Sequence, residues 1–153
     1  MVKAKVFWNY ICNELDYRFF SGVVCEGFVP LYDEMSAEFM HYIPAANERI
    51  ALGMAAGARM TNLKSGILID YKNIYVLYDW LFNFNKVYRV PVLIIVYNDN
   101  KEKLNLTGFP KSELNSSVNF NKKLKSFVNK IEKDRLPGIL SIGKGVIEWK
   151  GML

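Results

Sequence analysis

The residues best equipped for chemistry lie in one short run, Asn47-Glu48-Arg49-Ile50-Ala51-Leu52-Gly53-Met54-Ala55-Ala56-Gly57. Asn47 is a favoured N-cap residue. Glu48 then falls in the first helical turn, where the positive end of the helix dipole favours a carboxylate. Ile50, Met54, Gly57 and Ala58 share one helical face, and Gly53 with Gly57 would let that helix approach a neighbour closely. Taken alone, the run asks for nothing beyond a capped, tightly packed helix. Arg49 could hold an anionic tail or make a surface ion pair. The other reactive types are sparse. His41 is the only histidine, with no Ser or Asp at a triad spacing, and one histidine cannot build a multi-histidine metal site. Cys12 and Cys25 lack the C-x-x-C spacing of a zinc site. Gly22 and Gly27 make a poor phosphate loop.

The elements that must position these residues alternate between helices and short apolar runs. Helical patterns cover 6–15, 30–40, 48–63, 74–87 and 119–133, with Pro30 suited to a first turn. Strand patterns cover 19–25, 41–45, 65–71, 90–97 and 139–142, with 146–149 as further strand material; 98–118 reads as a polar loop. Fully apolar strands alternating with helices predict an α/β fold, a doubly wound, mainly parallel, Rossmann-like sheet sandwiched by helices. In such sheets ligands bind beyond the carboxyl ends of the strands. The loops at 25–30, 45–48, 70–74 and 97–118 are therefore the ones to inspect.

Bulk properties narrow the classes. A chain of 153 residues that is 51% hydrophobic can bury a core without disulfides or metal, as one domain over 1–153. Two cysteines do not form a disulfide framework, and the longest apolar run has strand length, so a cytoplasmic protein with no membrane span is expected. The net charge of +5 is uneven: residues 1–100 carry 9 Lys/Arg against 10 Asp/Glu, and residues 101–153 carry 11 against 5. The lysines at 122, 123, 125, 130 and 133 interleave with Phe120, Leu124, Phe127, Val128 and Ile131 at helical spacing. They read as a solvated helix face, with no aromatic-basic motif for nucleic acid.

The run N-E-x-x-A-x-x-x-A-x-G, entered through Ile43-Pro44-Ala45-Ala46-Asn47-Glu48, resembles the pyrimidine-binding (alpha) part of thiamine-diphosphate decarboxylases of the sulfopyruvate and phosphonopyruvate type. Phe19-Phe20-Ser21-Gly22-Val23, Tyr88-Arg89-Val90-Pro91-Val92-Leu93-Ile94-Ile95 and Pro137-Gly138-Ile139-Leu140-Ser141-Ile142-Gly143-Lys144-Gly145 resemble the family's other stretches in the same order. The resemblance implies thiamine diphosphate as cofactor, with Glu48 bonding its aminopyrimidine ring nitrogen and so promoting proton loss from the thiazolium carbon. The cofactor then carries the decarboxylation of a small 2-keto acid while the protein orients it. Asn47 and Asn73 would join Glu48 at the cofactor. Cys25, Glu26 and Arg49 would face the substrate, although Cys25 reads equally well as an inert strand-end thiol.

The resemblance also implies a partner. The family holds diphosphate and Mg through a Gly-Asp-Gly motif on a second domain, and this sequence contains no Asp-Gly pair. A beta-type chain would have to supply that site in a homo- or hetero-oligomer. The sequence departs from the family after the third strand. There Asp70-Tyr71-Lys72-Asn73-Ile74-Tyr75 replaces a glycine-bearing turn, and Tyr71 or Tyr75 could fill the pocket. A degenerate, non-catalytic binding or regulatory subunit is the alternative that follows.

Overall fold

The computed structural model describes residues 1–148. Trp149, the end of the last expected strand, lies outside the described residues. The chain opens with β1 (Val2–Lys3) and α1 (Ala4–Trp8), which runs on as a π-helical turn over Asn9–Glu14. Then come β2 (Phe19–Gly22), a 3₁₀ turn at Glu26–Phe28, α2 (Val29–Tyr32), β3 (His41–Pro44), α3 (Glu48–Met60) and β4 (Ser65–Asp70). A 3₁₀ stretch over Tyr71–Leu77 leads into α4 (Tyr78–Trp80) and a π-helical turn at Leu81–Asn85. β5 (Leu93–Asn98), β6 (Lys111–Leu114), α5 (Phe120–Asp134), β7 (Gly138–Gly143) and β8 (Ile147–Glu148) complete the order.

Six strands form one sheet in the order β3-β2-β4-β5-β7-β6, and every pairing in it is parallel. The expected parallel layer is present. Its central strands are buried on both sides, as covered parallel strands must be. Alternation along them feeds two cores. Leu68, Leu93, Ile95, Leu140 and Ile142 pack with α1 and α5, whereas Ile67, Ile69, Ile94, Val96 and Ile139 pack with α3 and residues 71–85.

Three local expectations are corrected. The 98–118 loop contains β6, a polar edge strand that pairs only with β7. The 30–40 helix is a single turn, α2, after which Ser36 O accepts from both Phe39 N and Met40 N in a tight turn. The strand material expected at 146–149 is present as β8, which pairs with β1 in a separate two-stranded ladder. Finally, α3 buries Ala51, Leu52, Ala55 and Ala56; Gly53 and Gly57 lie on the opposite, open face, where a Cβ would meet nothing within 4 Å.

The chain leaves β2 toward β3 on one side and passes from β4 to β5 on the other. The connections therefore diverge between β2 and β4, where α/β sheets open a crevice at their carboxyl edge. Gly22 closes β2 at that point, and a Cβ there would run into the Leu68 carbonyl. Side-chain bonds fix neighbouring loops: Ser21 Oγ donates to Ile43 O at 2.7 Å, and Asn98 Nδ2 donates to Glu102 O at 2.8 Å.

Candidate active site

The site grows from the start of α3. Asn47 is in extended conformation, and its Oδ1 accepts the Ile50 N–H at 3.0 Å, so this side chain is committed to capping the helix. That leaves Glu48 in the first turn, half-buried, with its carboxylate in the field of the helix N-terminus. Asn73 reaches it from the turn after β4: Asn73 Nδ2 donates to Glu48 Oε1 at 2.9 Å. The turn is held in its own way, since Asp70 Oδ1 accepts from Lys72 N at 3.0 Å and starts the 3₁₀ stretch. Arg49 Nε donates to Val76 O at 3.1 Å, binding α3 to the same turn.

Tyr71 and Tyr75 pack edge to face with ring centroids 6.4 Å apart, and Tyr75 keeps 44% of its surface exposed. Asn73 lies between them in sequence and is the one turn residue that bonds Glu48. The glycine-free turn therefore supplies a polar partner to the carboxylate.

Cys25 and Glu26 occupy a neighbouring region. The Cys25 thiol is buried and lies 3.5 Å from Asp70 Oδ2, to which it donates. Burial, with the Asp70 carboxylate beside it, pushes this thiol up to about 11, so it stays protonated at neutral pH. That fits a strand-end thiol. Glu26 lines a cavity of about 400 Å³ together with Asp70, Lys72, Tyr97, Asp99 and Lys144. A Cβ on Gly27 would collide with the Tyr97 ring that walls this cavity. Burial, with Asp99, raises the Tyr97 phenol above its ordinary value.

The structure thus brings Glu48 and Asn73 together, and Asn47 supports them. It sets Glu26 at the adjoining cavity and Cys25 beneath Asp70, with the 70–73 turn between the two groups. Asp70, Lys72, Tyr97, Asp99 and Lys144 were not singled out from sequence. Four of them lie in the 70–74 and 97–118 loops already marked by the sheet rule; Lys144 follows β7, at the end of the 137–145 stretch that carries part of the resemblance. His41 begins β3, is exposed and pairs in register with Phe19, a structural position. Among the described residues no group of three or more His, Cys, Asp or Glu is arranged to hold a metal. No helix of those residues is long and apolar enough to cross a membrane.

No protein-family model and no curated protein matches this chain by sequence. Solved structures match its fold. It is similar to a benzoylformate decarboxylase from Polynucleobacter necessarius, at TM-score 0.76 and 13% identity over 94% of this chain and 30% of that one. A 2-oxoglutarate:ferredoxin oxidoreductase from Magnetococcus marinus aligns at TM-score 0.74 and 10% identity, over 95% of this chain and 29% of that one. A putative thiamin diphosphate-dependent enzyme from Mycobacterium smegmatis aligns at TM-score 0.68 and 15% identity, over 94% and 31%. The chain therefore spans about a third of these proteins. Its mainly parallel, helix-flanked sheet is the α/β fold of the pyrimidine-binding domains of thiamine-diphosphate enzymes.

Proposed function

We propose that this chain is the alpha-type, pyrimidine-binding subunit of a thiamine-diphosphate-dependent 2-keto acid decarboxylase, acting as a single domain over 1–153. The observation that carries this reading is the Glu48 carboxylate. It stands in the first turn of α3, bonded through Oε1 to Asn73, with Oε2 left without a protein partner among the described residues. An acid held so can share a proton with a ring nitrogen. The residues fit the aminopyrimidine half of the cofactor and no more, because the chain offers no Asp-Gly motif for diphosphate and Mg. Bound thiamine diphosphate would supply the carbon acid and the electron sink for decarboxylation. Glu48 would bond its pyrimidine nitrogen, Asn73 would orient Glu48, and Glu26 with Cys25 and Arg49 would border the substrate.

The diphosphate half would come from a beta-type chain. Surface around Glu48 is available to receive one: Ile50, two residues on in α3, is 47% exposed, Val76 is exposed in the Arg49-linked turn, and Gly53 and Gly57 lie on the open face of α3. By resemblance the favoured substrate is sulfopyruvate, which would put the enzyme in coenzyme M biosynthesis in the cytoplasm. The test is co-expression with a beta-type chain and an assay of carbon dioxide release from sulfopyruvate. Glu48→Gln is expected to abolish turnover with the complex intact; full activity in that variant would refute the role.

A second reading, a non-catalytic binding or regulatory subunit, is favoured by the same turn. Tyr71 and Tyr75 bracket Asn73, and Asn73 is itself occupied by Glu48. Calorimetry of the assembled complex with thiamine diphosphate separates the two. Heat of binding lost in Glu48→Gln supports the enzyme, and no binding in any combination supports the second reading.

A further inference from the structure

At the opposite end of the sheet from β3 and the Glu48 helix lies a different surface. β6 is an edge strand that pairs only with β7. Pro110 O accepts from Ile139 N at 2.9 Å, so in a parallel ladder the alternate residues Lys111 and Glu113 direct their backbone groups to the open side. Beside that edge runs α5, and a groove of about 620 Å³ lies between them. Lys111 and Ser112 line its strand wall, and Lys122, Lys123, Ser126 and Lys130 line its helix wall. Glu113 is the one carboxylate among the described lining residues, and its Oε2 accepts from Asn115 Nδ2 at 3.3 Å. Lys111 Nζ donates to Leu104 O at 2.9 Å and so is anchored at the groove wall.

Two features of this surface are unfavourable for the isolated chain. The first turn of α5 carries no acid but does carry Lys122, against the helix dipole, with Lys123 directly after it. The strand edge leaves backbone donors and acceptors without ladder partners. One kind of occupant answers both.

We propose that the β6 edge and the lysine wall of α5 bind an extended acidic segment of another protein, which adds to the sheet as a further strand. Backbone pairing would supply affinity and the lysines selectivity, the usual division in strand addition. The dimensions agree. Four residues of strand span about 13 Å and set same-side carboxylates about 7 Å apart. Lys123 and Lys130 are separated by about 10 Å of helix rise. A nucleic acid fits less well, because the groove's aromatic ring, Phe127, is buried and offers no stacking face.

The experiment is fluorescence anisotropy with the full chain and a labelled dodecapeptide of alternating Glu and Thr. Saturable binding is expected, weakening as salt rises. The Lys122→Glu/Lys130→Glu variant should weaken it roughly tenfold while its thermal unfolding midpoint does not fall, because an acid at position 122 suits the helix dipole. The same peptide N-methylated at alternate amides should lose binding although its charge is intact. Equal binding of the methylated peptide, tighter binding of an oligothymidine of the same length, or no binding of the acidic peptide would each overturn the proposal.

Discussion

Asn73 Nδ2 and Glu48 Oε1 meet at 2.9 Å across 25 residues of chain, joining the turn after β4 to the first turn of α3. A charge-assisted bond of this kind is expected to show as energetic coupling. Asn73→Ala, Glu48→Ala and the double variant, compared by urea unfolding, should give an interaction energy of about 0.5–1.5 kcal/mol. Strict additivity would show that the bond does not persist in solution.

Helix α3 should depend on its cap. Asn47→Ala removes the acceptor for Ile50 N, at an expected cost of about 1 kcal/mol and a Tm lower by roughly 2–4 °C. Asn47→Asp should restore most of it, since aspartate caps equally well. Differential scanning calorimetry of the three forms checks this.

Alkaline pH should weaken the fold. Burial raises the thiols of Cys12 and Cys25 from 9.0 to about 12 and about 11, and it raises the Tyr17 phenol too. These groups ionise more readily once unfolded. Their contribution is therefore complete below pH 9 and is lost as pH climbs toward 11–12. Urea midpoints should fall between pH 8 and pH 10.5, and less steeply in Cys12→Ala/Cys25→Ala. By the same logic iodoacetamide should leave both thiols of the native chain nearly untouched at pH 7.5.

Gly22→Ala should be costly out of proportion to one methyl group. The new carbon would press on the backbone carbonyl of Leu68 in the adjacent strand, and overpacking of this kind costs about 1–3 kcal/mol. An unchanged unfolding midpoint would contradict the tight β2–β4 spacing.

Much of the fold was legible because its central strands announce themselves. Leu93-Ile94-Ile95-Val96 has no polar residue to spare, and only a strand covered on both faces suits it. β6 escaped because Lys111-Ser112-Glu113-Leu114 makes one ladder and faces water on the other side, so its composition is that of a loop. The pattern over 30–40 predicts a longer helix than α2 because periodicity does not reveal the competing turn at Ser36. At the site, Glu48 and Asn47 could be read from helix-start chemistry. The bond from Asn73 could not, since it depends on how a tyrosine-rich turn lies against α3. Gly53 and Gly57 signal close packing in the sequence, but within this chain alanines provide the inward contact of α3 and the glycines lie outside.

The position of β7 has a consequence for how the chain is made. It is the last strand of the main sheet to be synthesised, yet it lies between β5 and β6 and pairs with both. Until residues 138–143 emerge from the ribosome, β6 has no strand to pair with and the apolar flank of β5 stays open. The sheet cannot be finished progressively from one end; it closes in a late insertion step that joins segments distant in sequence. Folding of this kind is slow, and its half-made intermediate is the form most exposed to misassociation. A nascent chain halted before residue 138 should therefore engage chaperones, and release of the next few residues should free it.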